Sequence, residues 1–141
     1  MSELVATYEL AILSLIALSL MTLAQSFIGA VFGLVLGPSV PGMPPEGDHS
    51  QFGHRTLRTS QNTVENLPAF AIAAVAAIAV GADPWTVNML AAAFVSTRLL
   101  YWVVYYANIG AHAGGPRTLL YVLGITANAA LGVVALTTIL G

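Results

Sequence analysis

Four long apolar stretches set the pattern of this chain. The first covers about residues 8–36 and is broken only by glycines and by small or weakly polar side chains, Ser14, Ser19, Thr22, Gln25 and Ser26. The others cover about 57–80, 84–108 and 116–140. At a rise of about 1.5 Å per residue, each is long enough to cross a bilayer. A helix satisfies its own backbone in lipid, which an open sheet cannot do. The pattern therefore predicts an all-α integral membrane protein, a bundle of four transmembrane helices forming one domain over residues 1–141.

The connections fit that reading. Residues 37–55 hold Pro38, Pro41, Pro44 and Pro45 with several glycines, which predicts a long loop. Pro84 and Pro116 suit the first position of the third and fourth helices. Pro68 lies inside the second and is expected to kink it or to free the carbonyl of Val64. Gly29, Gly33 and Gly37 recur every four residues, a bare strip that lets a neighbouring helix approach. Gly37 also stands before Pro38, where a helix ends. No internal repeat and no soluble domain is visible. The segment before the first stretch holds Glu3 and Glu9 and no cation, and the stretch itself is too long for the h-region of a signal peptide.

Composition agrees with a lipid solvent. The chain is 57% hydrophobic and only 7% charged, against about 25% charged in soluble domains. The mean hydropathy is +0.84. Four arginines, no lysine and no basic run argue against nucleic acid as a partner. The absence of cysteine excludes disulfides, thiolate metal sites and a protein-borne thiol nucleophile. Arg55 and Arg58 lie by the first loop and Arg117 by the third. The positive-inside rule then puts those two loops in the cytoplasm and both termini on the opposite side.

The polar side chains within the spans fall into register. Arg58, Asn62 and Glu65 share a helix face, as do Arg98, Tyr101 and Tyr105. Arg117 and Tyr121 begin a third stripe, with Asn128 further along it. All three lie toward the predicted cytoplasmic half. Arg98 is well inside its span, where a charge costs about 2.5–3.5 kcal/mol to insert. It must face the bundle interior, and Glu65 is its expected partner. Two readings follow: a buried Arg98–Glu65 pair that only locks helix packing, or a cavity for an anionic or polar ligand. The gathering of Arg58, Asn62, Tyr105, Arg117 and Tyr121 at one depth points to the cavity. Tyr8, Trp85 and Trp102 fit an interfacial aromatic belt. His49, His54 and His112 have no metal-ligand spacing and read as solvated, so no metal is expected.

The segment Arg58-Thr-Ser-Gln-Asn62-Thr-Val-Glu65-Asn-Leu-Pro68 resembles the signature of the MAPEG family, the membrane-associated proteins of eicosanoid and glutathione metabolism. Arg98 followed by Tyr105, and Arg117-Thr118 followed by Tyr121, resemble its patterns on the third and fourth helices. The resemblance implies a homotrimer with glutathione as co-substrate between adjacent subunits. It implies that Arg58, Asn62, Glu65, Arg98, Tyr101, Tyr105 and Tyr121 bind the tripeptide, and that Arg117 is the catalytic residue that activates its thiol. Thr118 stands where a serine is often found. A free thiol has a pKa of about 8.5, and an adjacent arginine in a partly desolvated site favours the thiolate. The implied activity is a membrane-bound glutathione-dependent transferase or peroxidase acting on hydrophobic electrophiles that arrive through the lipid. The competing reading is a non-enzymatic trimer that binds another small anion or lipid, its polar cluster serving assembly. A small transporter is a third class, for which four spans without a repeat offer little. Two departures from the family stand out. The first helix lacks the usual basic residue, Gln25 being its best polar substitute. The third loop, with Gly114-Gly115, is longer than in prostaglandin-forming members.

Overall fold

The fold is that of a computed structural model, in which residues 3–35, 48–110 and 114–141 are described. A short α1 (Glu3–Thr7) leads into α2 (Glu9–Val35), followed by α3 (Phe52–Ala79), α4 (Pro84–Tyr106) and α5 (Pro116–Leu140). The last four are each long and apolar enough to cross a membrane. They match the four predicted spans, with one shift. α3 starts at Phe52, about a turn and a half before the expected position. The Arg55 guanidinium explains it, because its Nη1 donates to the carbonyls of His49 (2.8 Å) and Ser50 (2.6 Å) and ties the first turn of α3 to the chain that precedes it. Pro68 stands inside an α3 that continues as helix to Ala79. Gly37 and the rest of the proline-rich loop up to residue 47 lie outside the described residues, as does His112.

Local chemistry sets the other boundaries. Asp83 caps α4, its Oδ2 accepting from the Thr86 N–H (2.8 Å) and hydroxyl (2.6 Å). Pro84 then opens that helix and Pro116 opens α5. The turn between α3 and α4 requires a glycine, since Gly81 has φ +70°. The break between α1 and α2 has a specific cause. The Asn88 side chain of α4 inserts into the helical ladder there. Its Oδ1 accepts from the Ala11 N–H and its Nδ2 donates to the Thr7 carbonyl, both at 2.9 Å. Those are the two groups that would bond each other in an uninterrupted helix.

Around the bundle the helices run α2, α3, α5, α4, with α3 and α4 in contact across the diagonal. The interior has two layers. The layer nearest the α3–α4 turn is apolar, with Phe70 and Phe94 stacked at 4.5 Å and Ala74, Ala77, Val87, Ala91 and Leu131 closed off around them. The layer toward the other end is polar and holds Arg98, Asn62, Thr59, Tyr101, Tyr105, Arg117 and Arg55, all buried. On α2 the buried stripe is Ala11, Ser14, Leu18, Met21 and Gln25, an alternation of three and four. Large apolar side chains such as Leu23, Phe27, Ile72, Val103 and Leu136 point outward, as a lipid-facing surface requires. Trp85 is among the exposed residues, which suits an interfacial position. Tyr8 does not belong to that belt. It is buried, and its hydroxyl donates to the Ala82 carbonyl at 2.6 Å, fastening α1 and α2 to the α3–α4 turn.

Replacing Asn88 by leucine removes both bonds from the α1–α2 break. The expected cost is about 1–3 kcal/mol, seen as a lower thermal unfolding midpoint in detergent. An unchanged midpoint would show that the bridge contributes nothing.

Candidate functional site

The polar layer is organised by Arg98, which is 1% exposed. Its guanidinium reaches two other helices. Nη1 donates to Asn62 Oδ1 on α3 at 2.5 Å. Nη2 donates to the carbonyls of Leu120 and Tyr121 on α5 at 3.3 and 3.2 Å. The rings of Phe94, Tyr101 and Tyr121 lie 5.3, 5.5 and 5.7 Å from Cζ, so three aromatic faces supplement the neutral oxygens.

The expected pairing with Glu65 is not made. Glu65 is exposed and takes no part in these bonds. The helix register explains the difference. The inward side of α3 is marked by the buried Thr56, Thr59, Thr63, Phe70, Ala74 and Ala77. Asn62 falls at the edge of that side. Arg58 and Glu65 fall further round, on an exposed flank where Arg58 Nη1 donates to Gln61 Oε1 at 3.0 Å. Sharing a face with Asn62 was therefore not enough to bring Glu65 inside. The buried threonines offer no substitute partner, since Thr59 and Thr63 return their hydroxyl bonds to their own helix.

A second cation completes the layer. Arg117, 7% exposed, opens α5. Its Nε donates to the Ile109 carbonyl and its Nη2 to Asn108 Oδ1, both at 2.9 Å. Its Cζ lies 4.3 Å from the centre of the Tyr105 ring. Tyr105 packs on Tyr101 at 4.9 Å, which links the surroundings of Arg117 to those of Arg98. Asn108 can accept from Arg117 because it ends α4 in the left-handed region, with φ 57°. Thr118 Oγ1 accepts from the Gly114 N–H at 3.2 Å, fixing the approach to α5. Asn62, Arg98, Tyr101, Tyr105 and Arg117 thus form one buried layer. Tyr121 joins through its carbonyl and ring while remaining partly exposed.

Three contributors escaped the sequence reading. Arg55 served only to orient the chain, yet it is buried and tied to the carbonyls of His49 and Ser50. Asn108 looked like the end of a helix. Gly124 lies between Tyr121 and Asn128 on the Arg117 stripe, and that register was the one available signal. The histidines need a correction too. His49 and His54 are half-buried rather than solvated, edge to face at 4.9 Å, with His49 5.8 Å from Tyr105. Their Nδ1 atoms are buried and have no hydrogen-bond partner among the described residues. Among the described residues no group of three acidic, histidine or cysteine side chains could hold a metal.

Fold and site together define a four-helix integral membrane protein with a buried, arginine-rich layer at one end of its bundle. The sequence profile of the MAPEG family matches residues 9–137 of the 141, and the chain belongs to that family. Membership sets it among membrane proteins of eicosanoid and glutathione metabolism. No curated protein and no solved structure matches it.

Two outcomes follow from this geometry. Asn62→Leu leaves Arg98 without its side-chain acceptor, so unfolding stability in detergent should fall by about 1.5–3 kcal/mol; a neutral effect would mean that Arg98 does not depend on that bond. The second concerns His49, in the turn before α3. Burial, then the charges of His54, Arg117 and Arg58, hold its imidazole below the ordinary histidine range, with Asp48 opposing them. The folded protein therefore takes up this proton less readily than the unfolded chain does. Stability should be full above about pH 6.5 and decline as the pH falls below it. His49→Gln should flatten that decline in unfolding scans. A wild-type midpoint that rises on acidification would contradict the assignment.

Proposed function

We propose that the protein is a homotrimer that binds glutathione between adjacent subunits and presents its thiolate to hydrophobic electrophiles in the membrane. One observation supports this reading above the others. Arg55, Arg98 and Arg117 are buried, and the hydrogen bonds they make end on neutral oxygens: carbonyls of His49, Ser50, Leu120, Tyr121 and Ile109, and the amides of Asn62 and Asn108. Among the described residues the Nε atoms of Arg55 and Arg98 have no partner. Three desolvated cations with no bonded carboxylate among the described residues create a strong positive potential, which an anionic ligand would neutralise.

The exposed flank of α3 supports the subunit boundary. Arg58, Glu65, Ala69, Ile72 and Ala76 share that flank by their spacing. A carboxylate facing lipid within a span is costly. Ala69, Ile72 and Ala76 also line a groove with Gly132, Ala135 and Leu136 of α5, narrow enough in its side chains for a helix of a second copy to pack there. In this arrangement Arg58 and Glu65 meet the tripeptide's carboxylate and amine groups, while Asn62, Tyr101, Tyr105 and Tyr121 line its path. Arg98 sets the potential from beneath. The first and third loops would face the cytoplasm, with both termini opposite.

Arg117 would stand next to the sulfur. The thiol gives its proton to water and the thiolate is held against the guanidinium; each unit of pKa lowering corresponds to about 1.36 kcal/mol. The sulfur then donates its electron pair to an electrophilic carbon, forming a C–S bond as a leaving group departs or the adduct takes up a proton. With a lipid hydroperoxide it would attack the distal oxygen instead, releasing the alcohol after protonation and leaving an oxidised sulfur for a second glutathione. No protein nucleophile is needed, in keeping with a chain that has no cysteine.

Adding glutathione to the purified protein should produce ultraviolet thiolate absorbance at neutral pH. Arg117→Ala should abolish that absorbance while glutathione still binds. Equal absorbance in both proteins would remove Arg117 from the chemistry, and no glutathione binding by the wild type would overturn the reading as a whole.

A further inference from the structure

Gly124 of α5 lies against the buried guanidinium of Arg98 on α4. A Cβ built on it would collide with Arg98 Nη2, lie 2.9 Å from Arg98 Cζ and 2.8 Å from Thr97 Oγ1. Gly132, two turns further along the same helix, is different, because a Cβ there would meet Ala73 Cβ at an ordinary 3.9 Å. The close fit is therefore to the ends of two α4 side chains, above all the Arg98 guanidinium and secondarily the Thr97 hydroxyl. The Arg98 Nη2 occupies the space over Gly124 while bonding the carbonyls of residues 120 and 121, four and three positions earlier on α5. In an α-helix those carbonyls lie on the side that the residue at 124 covers.

We infer that Gly124 is a positioning residue for the polar layer: its missing side chain is the slot that lets Arg98 bond the backbone of α5, and this contact fixes the rotation of α5 that aims Arg117. Arg117, Tyr121 and Gly124 are in helical register on one face, so the Arg98 bonds act within two turns of Arg117. The guanidinium is the far end of a flexible side chain and would give way before the backbone does. A methyl group at 124 would therefore displace Arg98 from Leu120, Tyr121 and, through the same rigid plane, from Asn62. The slot is a requirement on the protein itself. Only its consequence for the ligand rests on the glutathione reading above.

The test is a double-mutant cycle of Gly124→Ala and Arg98→Met in a Thr97→Ala background, which removes the other close contact, with Gly29→Ala, where a Cβ would meet open space, as the control for the ordinary gain of helix propensity on replacing glycine. Unfolding midpoints in detergent, measured without ligand, test the slot. Gly124→Ala should lower the midpoint while Arg98 is present and leave it unchanged or raise it once Arg98 is methionine, whereas Gly29→Ala should not lower it in either. Equal effects of Gly124→Ala in both backgrounds would overturn the inference. If Gly124→Ala or Arg98→Met yields no folded protein, nitrogen-15 spectra of arginine side chains in the wild type decide. Separate, slowly exchanging Nη–H signals from Arg98 support the slot; averaged signals overturn it. Glutathione titration tests the consequence. Gly124→Ala should weaken binding about tenfold or more, the scale of a lost charged hydrogen bond. Coupled midpoints in a wild type that binds no glutathione would keep the slot and reject the ligand; coupled midpoints with unaltered affinity would overturn the link from Gly124 to the site.

Discussion

The polar end of this bundle depends on one buried cation. Arg98 has almost no access to solvent and, among the described residues, no bonded carboxylate, so it is held by Asn62, two carbonyls of α5 and three aromatic rings. Removing one partner of a buried charge is costly because the charge remains. The arrangement is therefore sensitive to the placement of all three helices. If α5 turned, the carbonyls of Leu120 and Tyr121 would move away. If α3 turned, Asn62 would. The need to satisfy one guanidinium thus sets the relative rotation of three of the four spans. That rotation places Arg117 against Tyr105 and leaves Arg58 and Glu65 on the outer flank.

The apolar half of the bundle packs against this buried charge. The Phe70–Phe94 stack lies directly below the polar layer, one helical turn from Arg98, and its neighbours are mostly alanines and valines that let the helices pack closely. The far end is secured by polar contacts of a different kind. Asn88 enters the α1–α2 break and the Tyr8 hydroxyl reaches the α3–α4 turn. These bonds involve neutral groups and hold the end of the bundle remote from the arginines. Stability and candidate chemistry are thereby separated along the membrane normal.

Much of the fold was legible from the chain alone. Long apolar runs and the prolines at positions 84 and 116 located the spans, because length, hydropathy and helix-start chemistry are local properties. Arg98 and Arg117 stood out because charge in a span is rare. What escaped was rotational. A shared stripe showed that Arg58, Asn62 and Glu65 were near one another, but not which edge of it faced inward. Spacing alone points Arg98 to the carboxylate of Glu65, whereas the amide of Asn62 three residues earlier fills that place. Backbone carbonyls as acceptors, the left-handed Asn108 and the slot at Gly124 depend on how helices meet, which no single segment encodes. Tyr8 was misplaced for a similar reason: its hydroxyl bonds a carbonyl 74 positions away.

The central claim is that the arginine-rich layer is a site for glutathione and not only a packing device. A density map of the protein in a lipid disc, with glutathione added, tests it most directly. The account predicts three copies about one axis with elongated density between adjacent subunits, reaching from Arg58 toward Arg117 above Arg98. A map in which glutathione gives no density there, with the space between copies filled by lipid or by the protein's own side chains, would contradict it.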